Sequence, residues 1–285
     1  MYSHKRALRT AFHRPVSSSQ NPWPGPDPVL PPDLPPQPVL YPSDAPLWSG
    51  WDVVQLAVLT MVSVFVLLLL TAAGVQRLFH PRQPLVEVVK HPLVTVLAQT
   101  LAYVFVFGYM VAIVKKHGGS NFWSAIRWNW PAASSLAFLG AGALLYVVLT
   151  AFSQALPIPK HLPIDQFFQT AGEAALMTMI SVTVAPLMEE LFFRGFLYPV
   201  LARRLGASAG VFLTALLFGL LHGAQLGYSW AVLIIFLVGL ALTIVRAVTG
   251  SVASSFLVHV GYNGTLSAIL FFATGGFRHL EKLTQ

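Results

Sequence analysis

Runs of twenty or more apolar residues follow one another through this chain, and few folds tolerate that. They lie at about 52–74, 93–114 and 132–156. A helix needs about 20 such residues to cross the hydrocarbon core of a bilayer. Further apolar segments lie at about 173–201, 208–223, 230–248 and 251–272, and the 208–223 segment is short and reads as broken or tilted. Of the 285 residues, 55% are hydrophobic and 9% charged, against about 25% charged in an ordinary soluble domain. Trp48, Trp51, Trp123, Trp128 and Trp130 flank the runs, as interfacial aromatics do. The pattern predicts an all-α, polytopic transmembrane bundle of about six to eight membrane helices.

Residues 1–46 read differently. A small basic cluster (Lys5, Arg6, Arg9, Arg14) leads into a Pro-dense stretch from Pro15 to Pro46. No apolar core follows the cluster, so a signal peptide is not expected. Aperiodic Pro-rich sequence of this kind reads as a disordered, extended tail. The membrane helical domain is then 47–285. The net charge is +7, but the cations are scattered over the tail and short loops, which points to membrane lipid headgroups as partners and away from nucleic acid. With seven spans and the N-terminus inside, the inward loops hold Lys115, Lys116, Arg127, Arg203, Arg204 and Arg246. The outward segments hold Arg77, Arg82, Lys90, Lys160, Arg278 and Lys282. That is an even split, which only the basic tail tips toward an inside N-terminus.

Against this apolar background, Glu189 and Glu190 stand side by side in the 173–201 segment, with Arg194 following. Ionisable groups at membrane depth are costly and persist mainly where they have a partner or a task. Residues four apart share a helix face, so Glu190 faces Arg194 and the two form a structural, site-shaping pair. Glu189 is turned by about 100° and is left to act as a base on water. Pro186 withdraws a backbone hydrogen bond and kinks the helix just before it. Such breaks are tolerated only inside protein or beside a water-filled cavity.

Two further polar elements lie downstream, Phe218-Gly-Leu-Leu-His222 and His259-Val-Gly-Tyr-Asn263. His259 and Asn263 share a face and offer donors for a developing oxyanion. Alternatively, Glu189, His222 and His259 would ligate a divalent metal, leaving one position for water. There is no cysteine, so thiolate metal sites and a cysteine nucleophile are excluded.

Glu-Glu-x-x-x-Arg, Phe-x-x-x-His and His-x-x-x-Asn, in this order on successive membrane helices, resemble the CPBP family, the CAAX prenyl protease and bacteriocin-processing group also called Abi. The resemblance covers roughly 173–272. It implies an integral-membrane endopeptidase with an internal polar chamber, in a bacterial-type cell membrane. In that reading Glu189 activates the water, His222 holds it, His259 and Asn263 stabilise the oxyanion, and Glu190 and Arg194 shape the site. The family is described both as zinc-dependent and as working through glutamate without a catalytic metal, and both chemistries stay open. The implied partner is a peptide or protein substrate, lipid-modified in the better-known members. Two other functions fit the same scaffold: non-catalytic immunity or resistance to a peptide toxin, and an ion relay in a transporter. Paired broken helices in two related halves, which a transporter of that kind shows, are not visible. Plainer expectations are Glu173 at a helix start, Arg203 and Arg204 as headgroup anchors, Arg246 as a loop anchor, and Gly219 and Gly223 as helix-packing residues.

Overall fold

In a computed structural model, residues 45–283 are described, and within them the chain is helical with no strand. The Pro-rich tail expected over 1–46 therefore lies outside the described residues for all but its last two positions. The long apolar runs become α1 (Gly50–Phe79), α3 (Pro92–Lys116) and α5 (Ser135–Ser153), with the short α2 (Leu85–Val89) and α4 (Phe122–Ala125) in the connections. Ser49 and Asp52 close a capping box at the start of α1, and Pro92 opens α3 at a position that needs no backbone N–H. A 3₁₀ turn at Pro163–Phe168 leads into α6 (Ala171–Val182), whose first turn is capped by Thr170 and Glu173.

The segment bearing the two glutamates is expected as one helix over 173–201, but it comes as three α-helices and a π-helical stretch. Thr183 (φ −117°, ψ −80°) separates α6 from α7 (Val184–Glu190). Pro186 explains the break, since it has no N–H to offer the Val182 carbonyl. A π-helical stretch, Leu191–Leu197, then joins α7 to α8 (Tyr198–Leu205). Gly206, at φ +85°, turns the chain into α9 (Ala207–Leu221). The last two helices are α10 (Ala231–Thr249) and α11 (Val252–Ala273).

Six helical stretches are long and apolar enough to cross a membrane: α1, α3, α5 with its leading turn, the composite Ala171–Leu205, α10 and α11. The chain is thus a multi-pass integral membrane protein. The fifteen-residue α9 rises only about 22 Å, short of the roughly 30 Å hydrocarbon core. Its C-cap is His222, so the short helix delivers an imidazole within the bundle instead of at its surface.

Packing fixes where these helices meet. The α5–α11 crossing brings backbone against backbone. A Cβ on Gly142 would stand 2.0 Å from the Val258 carbonyl oxygen, and one on Gly261 would stand 2.2 Å from that of Leu139. Gly219 packs in the same manner against the Phe236 backbone of α10, as small residues at membrane interfaces do. The main buried cluster joins Leu56 of α1 and Met110 of α3 to Leu191 and Phe196 of the π-helix. Trp48 seals one end: its ring stacks on Phe196 at 4.3 Å and its indole N–H donates to the Phe196 carbonyl at 3.0 Å.

Arg246 corrects an expectation. It is only 2% exposed, with its guanidinium 5.7 Å from the Tyr198 ring centroid. It sits in the last turn of α10, where packing against α8 draws it inward from the loop.

Gly261→Ala is expected to destabilise the protein by about 1–3 kcal/mol, because the added methyl overpacks a backbone contact. Gly140→Ala, where a Cβ meets nothing within 4 Å, is the control. Thermal unfolding in detergent should show a lower midpoint for the first and none for the second.

Candidate active site

A cavity of about 840 Å³ lies among α3, the Pro163–Phe168 turn, α6, α7, α9 and α11. Glu189, His222, His259 and Asn263 all line it. They come from three separate helices, so the tertiary fold brings together what the sequence keeps up to 74 positions apart. Glu190 and Arg194 stand behind this wall, both with fully buried side chains.

Each nitrogen of the Arg194 guanidinium and each oxygen of the Glu190 carboxylate has a partner. Arg194 Nη1 meets Glu190 Oε1 at 2.9 Å, Nη2 donates to the Gly239 carbonyl at 2.9 Å, and Nε donates to Thr243 Oγ1 at 3.2 Å. Its guanidinium also lies over the Phe218 ring, 4.7 Å from the centroid. Glu190 further accepts from the Ser255 hydroxyl through Oε2 and from His259 Nδ1 at 3.0 Å through Oε1. Every lone pair and N–H accounted for here lowers the cost of keeping the charges out of water. The network ties the α7–π junction to α10 and α11.

Those contacts also assign the tautomers. His222 Nδ1 lies 2.8 Å from the Phe218 carbonyl, which can only accept, so Nδ1 carries a proton and a neutral His222 presents a lone pair at Nε2. His259 Nδ1 donates to Glu190 by the same reasoning, so a neutral His259 also has a bare Nε2. Both Nε2 atoms turn to Glu189, at 3.9 Å from Oε1 for His222 and 3.7 Å from Oε2 for His259. These separations are too long for direct hydrogen bonds and suit one small bridging donor between acceptors. Asn263 lies a turn beyond His259, and its Nδ2 donates to the Ser181 carbonyl at 2.7 Å, beside the α6–α7 break.

Two contacts add to the expected partition. Glu190 is more than a clamp for Arg194, because it also orients His259. His259 thereby stands between Glu189 and Glu190. Ser255, Thr243 and the Gly239 carbonyl were not foreseen. Ser255 had a readable signal, since it precedes His259 by one helical turn, whereas Thr243 and Gly239 reach the site only through the packing of α10.

The donors for a metal are of a suitable kind, a carboxylate and two imidazoles. They stand wider apart than the roughly 3.3 Å edge of a tetrahedral ion with ligand bonds near 2.0–2.1 Å. Among the described residues, no group of three His, Asp or Glu side chains is drawn together as a metal-holding set.

Residues 171–265 match the family described as Type II CAAX prenyl endopeptidase Rce1-like. The match supports a membrane protease of the CAAX type. It spans every site residue from Glu189 to Asn263 and leaves α1 to α5 outside. No curated protein and no solved structure was found to match the chain.

Glu190→Ala should cost about 3–5 kcal/mol by stranding a buried guanidinium. Glu189→Gln, at a chamber wall where the side chain keeps 21% exposure, should leave stability nearly unchanged. Thermal unfolding of the two purified variants checks the contrast.

Proposed function

We propose that the protein is an intramembrane endopeptidase in which Glu189 activates a water molecule for attack on a peptide carbonyl. The observation that carries this reading is the approach of two imidazole Nε2 atoms to one carboxylate at 3.7–3.9 Å. With both imidazoles neutral, acceptors flank each oxygen of the carboxylate, which favours a guest that brings protons, and a water molecule brings two.

In this mechanism the water donates one proton toward Glu189 and the other toward His222 Nε2, which leaves an oxygen lone pair directed at the substrate. As that oxygen bonds to the scissile carbon, its proton passes to Glu189 and the C=O electron pair moves onto oxygen. An amide nitrogen carries two protons, so Asn263 keeps one N–H beyond the bond to Ser181, and it stabilises the oxyanion. Glu189 then returns the proton to the leaving nitrogen as the oxyanion re-forms C=O and the C–N bond breaks, and the proton kept by the attacking oxygen passes from the new carboxyl to the amine, giving a carboxylate and an ammonium group. His259, held by Glu190 at 3.0 Å, stands beside the other oxygen of the Glu189 carboxylate at 3.7 Å. Glu190 and Arg194 do not react; they hold the helices that carry the groups that do.

Met177, Ile180, Leu266 and Leu270 line the chamber with the reacting groups. Such walls favour a peptide whose residues near the scissile bond are apolar or carry a lipid. A prenylated CAAX peptide is therefore the substrate class to test first.

Glu189→Gln should abolish cleavage of a quenched-fluorescent prenylated CAAX peptide in proteoliposomes, with the protein still folded and inserted. Full activity in that variant would overturn the assignment and favour a non-catalytic role, such as peptide-toxin immunity. Asn263→Ala should lower kcat more than it raises KM, as loss of a transition-state donor does. Activity should survive exhaustive chelation. Loss on chelation with recovery on adding zinc would replace the metal-free mechanism by one in which Glu189, His222 and His259 hold the ion.

A further inference from the structure

An oxyanion formed deep in a membrane protein needs more than one donor, and the groups named above supply few. His259 commits Nδ1–H to Glu190, and Asn263 gives one N–H to the Ser181 carbonyl. The chamber wall holds another group of the right kind in Tyr103 of α3, which lies outside the matched 171–265 segment. Gln99, one helical turn earlier, donates its amide N–H to the Tyr103 oxygen at 2.6 Å. The phenol is the acceptor in that bond, so its own proton points elsewhere. Among the described residues, that proton is given to no protein acceptor. Tyr103 and Gln99 line the same chamber as Glu189, His222 and Asn263.

We propose that Tyr103 is a further catalytic residue, whose O–H donates to the tetrahedral oxyanion beside the remaining N–H of Asn263. The inference rests on the hydrolytic reading above. Proton accounting is unchanged by it: the water proton still travels through Glu189 to the leaving nitrogen, and Tyr103 shares its proton without releasing it. Gln99 is a positioning residue. By occupying one lone pair of the phenol oxygen it restricts the directions left for the O–H, and spacing of four on α3 keeps the two side chains on one face.

The test compares wild type, Glu189→Gln, Tyr103→Phe and Gln99→Met on a prenylated CAAX peptide. A phosphinic version of the same peptide serves as a tetrahedral analogue. Tyr103→Phe should lower kcat about 100-fold with KM within about twofold, and should weaken the phosphinic peptide in step with kcat. Gln99→Met should move both quantities in the same direction by less, and it carries the test if Tyr103→Phe does not fold. Wild-type kcat in Tyr103→Phe, alongside an inactive Glu189→Gln, would overturn the role of Tyr103 and leave hydrolysis standing. A fall in kcat with unchanged phosphinic-peptide affinity would also overturn it, because a merely structural change does not discriminate the tetrahedral form. Wild type that cleaves no peptide would overturn the hydrolytic reading and this inference together.

Discussion

The ion pair between Glu190 and Arg194 is the constraint around which the other helices are arranged. Two fully buried charges in an apolar bundle are tolerable only when each is paired and its remaining donors and acceptors are filled. Filling them takes the Gly239 carbonyl and Thr243 from α10, Ser255 and His259 from α11, and the face of Phe218 from α9. The pair therefore selects one arrangement of the helices, because a rotation of either α10 or α11 would strand a buried charge. Glu189, one residue away and turned by about 100°, is carried to the chamber by the same constraint. Its exposure to the cavity and the burial of its neighbour are two consequences of one helix geometry.

Backbone irregularity around the glutamates has the same logic. A helix surrounded by lipid cannot leave carbonyls unmatched, but one that borders a polar cavity can. The break at Thr183, the π-helical turn after Glu190 and the early end of α9 at His222 all fall near the chamber. Single π-helical turns recur at functional sites, and here the turn carries Arg194. The Ser181 carbonyl near the break is taken by Asn263, a side chain from a helix far along the sequence. The irregular backbone thus supplies acceptors, and the polar side chains gathered for chemistry satisfy some of them.

Much of this was legible in the residues. The length of the apolar runs set the fold class, and spacing of four put Glu190 opposite Arg194. The order of three short polar motifs pointed to a single site on separate helices. Other features lay beyond any local pattern. The π-helical segment Leu191–Leu197 has no counterpart in local propensity. Arg246 read as a loop anchor because a cation at a helix end usually meets headgroups, whereas tertiary packing placed it against Tyr198. The backbone contacts at Gly142 and Gly261 require two helices to be known at once, and nothing in either helix names the other. Tyr103 was hidden for a similar reason: a tyrosine in an apolar run reads as an interfacial aromatic until a chamber is seen beside it.

The division between held and reacting groups distinguishes hydrolysis from ion relay. A relay needs successive titratable groups that can each take up and pass on a proton across the membrane. Behind Glu189, however, Glu190 and Arg194 are fully buried and engaged with each other and with α10 and α11. Such a pair suits the proposed hydrolysis, in which charge develops on a guest and then vanishes while the surrounding dipoles stay in place. Both imidazoles are oriented by contacts on Nδ1 that lie outside the reacting centre, leaving Nε2 turned inward on each. An arrangement of bare nitrogens facing a carboxylate is unfavourable by itself, and it becomes favourable when a proton-bearing molecule enters. In the proposed hydrolysis that molecule is the water that Glu189 activates.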